Sequence, residues 1–363
     1  MSQEFHGGQI EQARREFGRT AFVDFSSNLN VFWPGIPAQE WEALREEILC
    51  YPEPDARTLR QNFARLARID PQFLLPTAGA AEALYLAARL FTDRRVAIVE
   101  PSFSDYHRAF VAAGGEPARV VLPPSLWNEP ADAWSELLAP FDVIVLGNPN
   151  NPTGAFQPRA ALLELIDRRW VQPKSWIIDE AFIEFVPDHS RASLLSALAD
   201  RPSVVVLRSL TKSWRIPGLR LGFLATSNES WLGRLGKMQP PWSVNGVAQA
   251  WAAMALTPEA QAAMLASLAP LPAIRAEFAA GLAALGHHVF PSAVNFLFVE
   301  LPEANAPAVY RELAWRGFLV RACDSFYGLT PAGGHLRVAV RWPRENQQLL
   351  EALALDTPAP ALA

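Results

Sequence analysis

Lys212 lies within RSLTKSWRIPGLRLGF (208–223), directly after the apolar run SVVVLRSL. Of the few lysines in the chain it is the one best placed to form a Schiff base with a carbonyl. Ser209, Thr211 and Arg220 offer two hydroxyls and a fixed charge, a set that suits a phosphate. A lysine merely solvated at a strand end is the alternative, and the small polar neighbours count against it. The string IIDEAF (177–182) ends a second apolar run. A carboxylate there must be paired or hydrogen-bonded. Asp179 could hold the N–H of a protonated heteroaromatic ring, or cap a helix from inside the core. NPNNPTG (148–154) follows a third run. Its prolines and glycine make a rigid turn that can present Asn151 to a ring hydroxyl, or that is only a turn. LPTAGAAEAL (75–84) places a glycine before a strong helical pattern. The free amides of Gly79, Ala80 and Ala81 can face an anion, although alone the string describes an ordinary helix start.

The elements that position these groups read as alternating strand and helix. Apolar runs recur at RVAIVE (95–100), ARVVLP (118–123), FDVIVLGNP (141–149), SWIIDEAF (175–182), SVVVLRSL (203–210) and LRLGFLAT (219–226). Most are unbroken, as in strands buried on both faces. AAEALYLAARLF (80–91) and RAALLELIDRR (159–169) read as helices. This is an α/β pattern with a mostly parallel sheet, and such sheets bind ligands beyond the carboxyl ends of their strands. After about residue 240 the pattern changes. Ala/Leu-rich helices over roughly 245–285 precede the strand-like HHVFPS, NFLFVEL, GFLVRA and HLRVAVR, then a last helix. That half reads as a smaller α+β domain.

The 363 residues suit two domains, and half of them are apolar. Thirty-two basic residues against 37 acidic give a net charge of −5, with no basic stripe. Nucleic acid is therefore a poor partner, while a local arginine pair still suffices for a phosphorylated substrate. The 2 cysteines, Cys50 and Cys323, support neither a disulfide framework nor a zinc site, and no metal is expected. The N-terminus lacks an apolar signal region. Thr257, Pro258 and Glu259 break the Ala-rich stretch after Val247, so no membrane span is expected. The cytoplasm is the expected location. The closing TPAPALA reads as a frayed tail.

Taken together, in this order and spacing, the four strings resemble the fold-type I pyridoxal 5′-phosphate (PLP) enzymes of the class I/II aminotransferase group, over nearly the whole chain. The resemblance implies a PLP-dependent transferase-like fold. A large domain (36–243) would carry a mixed, mostly parallel seven-stranded sheet, preceded by an N-terminal arm (1–35) and followed by a small α+β C-terminal domain (244–363). It implies that Lys212 holds PLP as a Schiff base and acts in catalysis. Asp179 bonds the pyridine nitrogen, and Asn151 bonds the ring oxygen. Amides around Gly79, Ala80 and Ala81, with Ser209, Thr211 and Arg220, hold the phosphate. Phe103 in EPSFSDY stacks on the ring, with Tyr106 as the alternate. Tyr51 in YPEP reaches the partner's cofactor across a homodimer, and Arg337 in HLRVAVR binds the substrate carboxylate.

Two subfamilies share these features: histidinol-phosphate aminotransferase and L-threonine-O-3-phosphate decarboxylase of cobalamin synthesis. HGG (6–8), DFSSNLN (24–30), DEAF with Phe182, QPPWSVN (239–245) and LVRACDSF (319–326) are more similar to the decarboxylase. That resemblance implies that His6 and Arg321 bind a substrate phosphate, with Asn30 nearby. The chain departs from the pattern at VFWPG (31–35), at Arg215 and in the loop SFYGLTPAGGH. The substrate expected is a small phosphorylated amino acid or amine.

Overall fold

The computed structural model describes residues 7–301, 305–329 and 334–354. His6 and the closing TPAPALA lie outside them. In chain order the strands are β1 (Val23–Asp24), β2 (Leu74–Thr77), β3 (Val96–Glu100), β4 (Ala118–Val121), β5 (Val143–Gly147), β6 (Ser175–Asp179), β7 (Val204–Ser209), β8 (Gly222–Ala225), β9 (His288–Val289), β10 (Phe296–Leu301), β11 (Phe318–Leu319), β12 (Arg321–Ala322) and β13 (Gly334–Ala339).

Seven of them form one sheet in the order β2-β8-β7-β6-β5-β3-β4. β8 is antiparallel to both of its neighbours, and the pairs from β4 to β7 are parallel. β3 and β7 are buried along their whole length, because helices cover both faces. Alternation sends successive side chains to opposite cores. Val205 and Leu207 pack with the helix Gly79–Ala88, whereas Val204 and Val206 pack on the other side. β2 went unread in the sequence because it is four residues long and contains Pro76. As an edge strand it pairs on one side only, where proline is tolerated.

A second, antiparallel sheet has the order β12-β13-β10-β9. The stretch GFLVRA, read as one strand, is divided at Val320 between two sheets: β11 pairs with β1, and β12 with β13. The N-terminal segment is thereby tied to the C-terminal half of the chain. The Ala/Leu-rich stretch forms the three helices Gly246–Ala255, Pro258–Ser267 and Leu271–Ala284. Thr257 caps the second by accepting from the Ala260 N–H. Among the described residues no helix is long and apolar enough to cross a membrane.

One contact sets how the helix Gly79–Ala88 meets the sheet. A Cβ on Gly222 would lie 2.5 Å from the Arg208 carbonyl oxygen and 2.7 Å from the Ala80 nitrogen. Those are backbone atoms and cannot rotate away. Gly222→Ala is expected to destabilise the chain by about 1–3 kcal/mol, the range for overpacking. Denaturant melts check this, and an unchanged midpoint would contradict it.

Candidate active site

β5, β6 and β7 are parallel, so the segments that leave their carboxyl ends converge on one edge of the sheet. A cavity of about 470 Å³ opens there. Lys212, Asp179, Asn151, Ser209, Thr211, Arg220, Ala80, Ala81, Phe103, Arg321 and Arg337 all line it.

Lys212 is the floor. Its own carbonyl accepts from the Asn30 N–H at 3.0 Å, which fixes the backbone that carries it. Burial, then the charges of Arg337 and Arg220, pull its pKa down to about 8, against a smaller upward pull from Asp179. At pH 7 about a tenth of the amine is thus uncharged and nucleophilic, far more than for an exposed lysine. The Asp179 carboxylate closes the end of β6. Its Oδ2 accepts from the Tyr106 hydroxyl at 2.9 Å and its Oδ1 from the Ala181 N–H at 2.9 Å. Burial raises its pKa, and these two bonds and Lys212 oppose that rise. Each oxygen keeps a lone pair for a further donor in the cavity.

Around the start of the helix Gly79–Ala88 the structure builds an anion cradle. No side chain at Ala78 caps this helix. Gly79 has φ +84°, and a Cβ on it would lie 2.8 Å from the Arg220 guanidinium. Glycine therefore lets Arg220 lie against the helix start. The Ser209 and Thr211 hydroxyls, 2.8 Å apart, complete the group. First-turn amides, two hydroxyls and a guanidinium match a phosphate dianion. With a nucleophilic amine and a buried carboxylate beside them, these residues fit PLP.

The opposite wall carries the other two arginines. Arg321 and Arg337 are direct partners in the β12–β13 ladder, and both are buried. Arg337 donates to Asn151 Oδ1 at 2.5 Å and to the Ser26 carbonyl at 2.7 Å. Burial lowers its pKa to about 10. Arg321 donates to Ser325 at 2.9 Å. Phe103 and Tyr106 both line the cavity, but their planes stand 85° apart, so a flat ring can stack on only one of them.

Several expected residues lie elsewhere. Asn30 is buried outside the cavity lining. Its amide donates to the Ser213 carbonyl and the Ser267 hydroxyl, and its Oδ1 accepts from the Phe32 N–H. Its polar atoms are spent on holding the Lys212 segment. Asn28 lines the cavity instead, with its Oδ1 unpartnered among the described residues. Tyr51 is exposed and packs on Trp242, away from this chain's cavity. Gly79 sits behind the lining, against Arg220. Arg215 and the altered 31–35 segment meet one another: Arg215 donates to the Trp33 carbonyl at 3.1 Å, outside the cavity lining.

The sequence reading missed the turn that seats Arg337. Asp24 accepts from the Ser26 N–H and hydroxyl and from the Ser27 hydroxyl. This fixes the Ser26 carbonyl on which Arg337 rests. Gly7 packs there too, since a Cβ on it would collide with Ser26. The signal was the Asp-x-Ser-Ser spacing, a turn pattern with no chemistry of its own.

The chain matches the family Aminotransferase class I and II over residues 24–353. It is 34% identical to a threonine-phosphate decarboxylase of Salmonella typhimurium, over 96% of this chain and 95% of that protein. It is 35% identical to a histidinol-phosphate aminotransferase of Mycobacterium tuberculosis, over 88% and 85%. The crystal structure of L-threonine-O-3-phosphate decarboxylase from Porphyromonas gingivalis superposes with a TM-score of 0.76 at 26% identity, covering 90% of this chain and 97% of that one.

A lysine whose pKa falls on folding binds fewer protons folded than unfolded. Cofactor-free protein should therefore gain stability as pH rises from about 8 to 10.5. At pH 7, Lys212→Met is expected to be more stable than the wild type by up to about 3 kcal/mol. The gap should close by about pH 10.5, the unfolded-state value. Thermal melts of both apoproteins across this range provide the check, and a pH-independent gap would contradict the shift.

Proposed function

The chain belongs to the aminotransferase class I and II family and its cofactor is pyridoxal 5′-phosphate, and we propose that it decarboxylates L-threonine O-3-phosphate to (R)-1-amino-2-propanol O-2-phosphate in cobalamin biosynthesis. One observation carries the reading. Arg321 and Arg337 are buried side by side on paired strands, facing the same cavity as Lys212. Two guanidiniums facing one cavity can bind two anionic groups of one small substrate. Threonine phosphate has a carboxylate and a phosphate. The similarity to the Salmonella decarboxylase over almost the full length of both chains supports the same substrate.

PLP supplies the electron sink for a bond broken at the substrate Cα. Arg337 would hold the carboxylate and Arg321 the phosphate, a role the resemblance also gives to His6, which lies outside the described residues. Between them the two arginines would fix the orientation of the substrate about Cα. If the bond to the carboxylate were the one aligned for cleavage, its electron pair would stay with Cα and carbon dioxide would leave. Lys212 in its ammonium form would then deliver a proton to Cα and be left as the amine. Asp179 holds the proton on the ring nitrogen, Asn151 faces the ring oxygen, and the cradle of Ala80, Ala81, Ser209, Thr211 and Arg220 holds the phosphate. Leu84, Phe103, Phe182 and Phe326 wall the cavity with apolar surface and limit water. Tyr51, exposed on this chain, would serve the cofactor of a second copy in a homodimer.

Transamination is the second reading, with histidinol phosphate as the amine. The identity to the Mycobacterium aminotransferase favours it, and a dicarboxylic acceptor would also occupy both arginines. The decision is geometric: with the C–H bond aligned for cleavage, Lys212 would remove the proton instead.

Incubation of PLP-loaded protein with L-threonine O-3-phosphate, without any keto acid, separates the two. Mass spectrometry should show aminopropanol phosphate, lighter by one carbon dioxide. Unchanged substrate, together with turnover of histidinol phosphate and 2-oxoglutarate, would overturn the decarboxylase reading.

A further inference from the structure

The strand ends that carry Asp179 and Ser209 have a second face. Alternation turns Asp179 and Ser209 toward the cavity, and Glu180 and Arg208 away from it. Behind the sheet, the Arg208 guanidinium lies 3.5 Å from Glu180 and contacts Glu184 more closely. Glu180 also accepts from the Ser193 hydroxyl at 2.6 Å and from the Leu194 N–H at 2.7 Å. Its own N–H donates to the Leu207 carbonyl, which ties the end of β6 to β7. Arg208 further lies 5.9 Å from the ring of Phe63, which stacks at 4.0 Å on Phe223 of β8. Phe223 follows Gly222, against which the phosphate-cradle helix rests.

All three charged residues are buried, at 5% exposure for Arg208, 1% for Glu180 and 6% for Glu184. None of them lines the cavity. Such a cluster is a poor source of stability. Desolvation of the ions commonly cancels their attraction, and apolar residues of similar shape often serve the fold as well. What the cluster does supply is directional: it fixes the strand ends one residue from two groups assigned to the cofactor. Displacements of about an ångström at such groups have large consequences.

We propose that Glu180, Glu184 and Arg208 are positioning residues, a buried ion cluster that sets the ends of β6 and β7 so that Asp179 and Ser209 meet the cofactor's ring nitrogen and phosphate. This rests on the placement of those two residues against PLP. It does not depend on which substrate is used.

The test replaces the cluster as a unit: Glu180→Gln, Glu184→Met and Arg208→Met in one chain. The melting temperature of the apoprotein, the PLP dissociation constant and the 15N shift of the ring nitrogen of labelled PLP are measured. The expected result is an apoprotein at least as stable as wild type, which binds PLP about tenfold or more weakly. Its ring-nitrogen shift moves toward the unprotonated value. Wild-type PLP affinity and an unmoved shift would overturn the proposal. Should the triple variant fail to fold, Ser193→Ala removes one bond to Glu180. It is expected to weaken PLP binding by about two- to fivefold and to move the same shift. Its leaving both unchanged overturns the proposal equally. Asp179→Asn is run alongside. If it too leaves the ring-nitrogen shift in place, the assignment of Asp179 falls, and the proposal with it.

Discussion

Positive charge gathered in one partly enclosed cavity is the constraint on which the rest of this structure depends. Lys212, Arg220, Arg321 and Arg337 share one cavity with the Asp179 carboxylate. Arg321 and Arg337 are buried, where water screens them less than at the surface, whereas Arg220 stands at the exposed edge. The consequences are visible in the groups themselves: Lys212 is driven down to about 8 and Arg337 to about 10. The lysine gives up its proton more readily than an exposed lysine does, which raises the nucleophilic fraction. The arginines keep theirs and can bind anions. The residues around Arg220 fit the phosphate of the cofactor, and on the proposed function Arg321 and Arg337 bind two anionic groups of the substrate.

The fold meets this demand with rigid parts. Parallel strands deliver Asn151, Asp179 and Lys212 to one edge, and an antiparallel ladder sets Arg321 against Arg337 on the facing wall. The N-terminal segment joins the two halves. Asp24 shapes the turn on which Arg337 rests, while Asn30 holds the Lys212 backbone. Charge on the far face of the sheet then backs the two strand ends nearest the cofactor.

Much of this was legible in the sequence, for a physical reason. Lys212, Asp179, Asn151, Ser209, Thr211 and Arg220 each sit within a few residues of an unbroken apolar strand, and such strands end at one edge of a parallel sheet. What was not legible is set by long-range packing. Asn28 and Asn30 are the same residue type two positions apart in a loop with no regular period, and only packing against Ser213 and Ser267 sends Asn30 inward. Tyr106 was read as a surface for stacking, and its hydroxyl proves to bond Asp179 across 73 residues. The split of GFLVRA between two sheets depends on β1, nearly three hundred residues earlier in the chain.

On the proposed function, Arg321 and Arg337 bind two anionic groups of one ligand. Spectrophotometric titration of the PLP-loaded protein with L-threonine O-3-phosphate and with L-threonine tests it directly. A buried, charge-assisted hydrogen-bonding partner contributes about 1.5–3 kcal/mol. The phosphorylated compound should therefore bind about 10- to 100-fold more tightly. Arg321→Gln should remove most of that difference and leave L-threonine binding close to its wild-type value. Equal affinity for the two compounds in the wild-type protein would contradict the account.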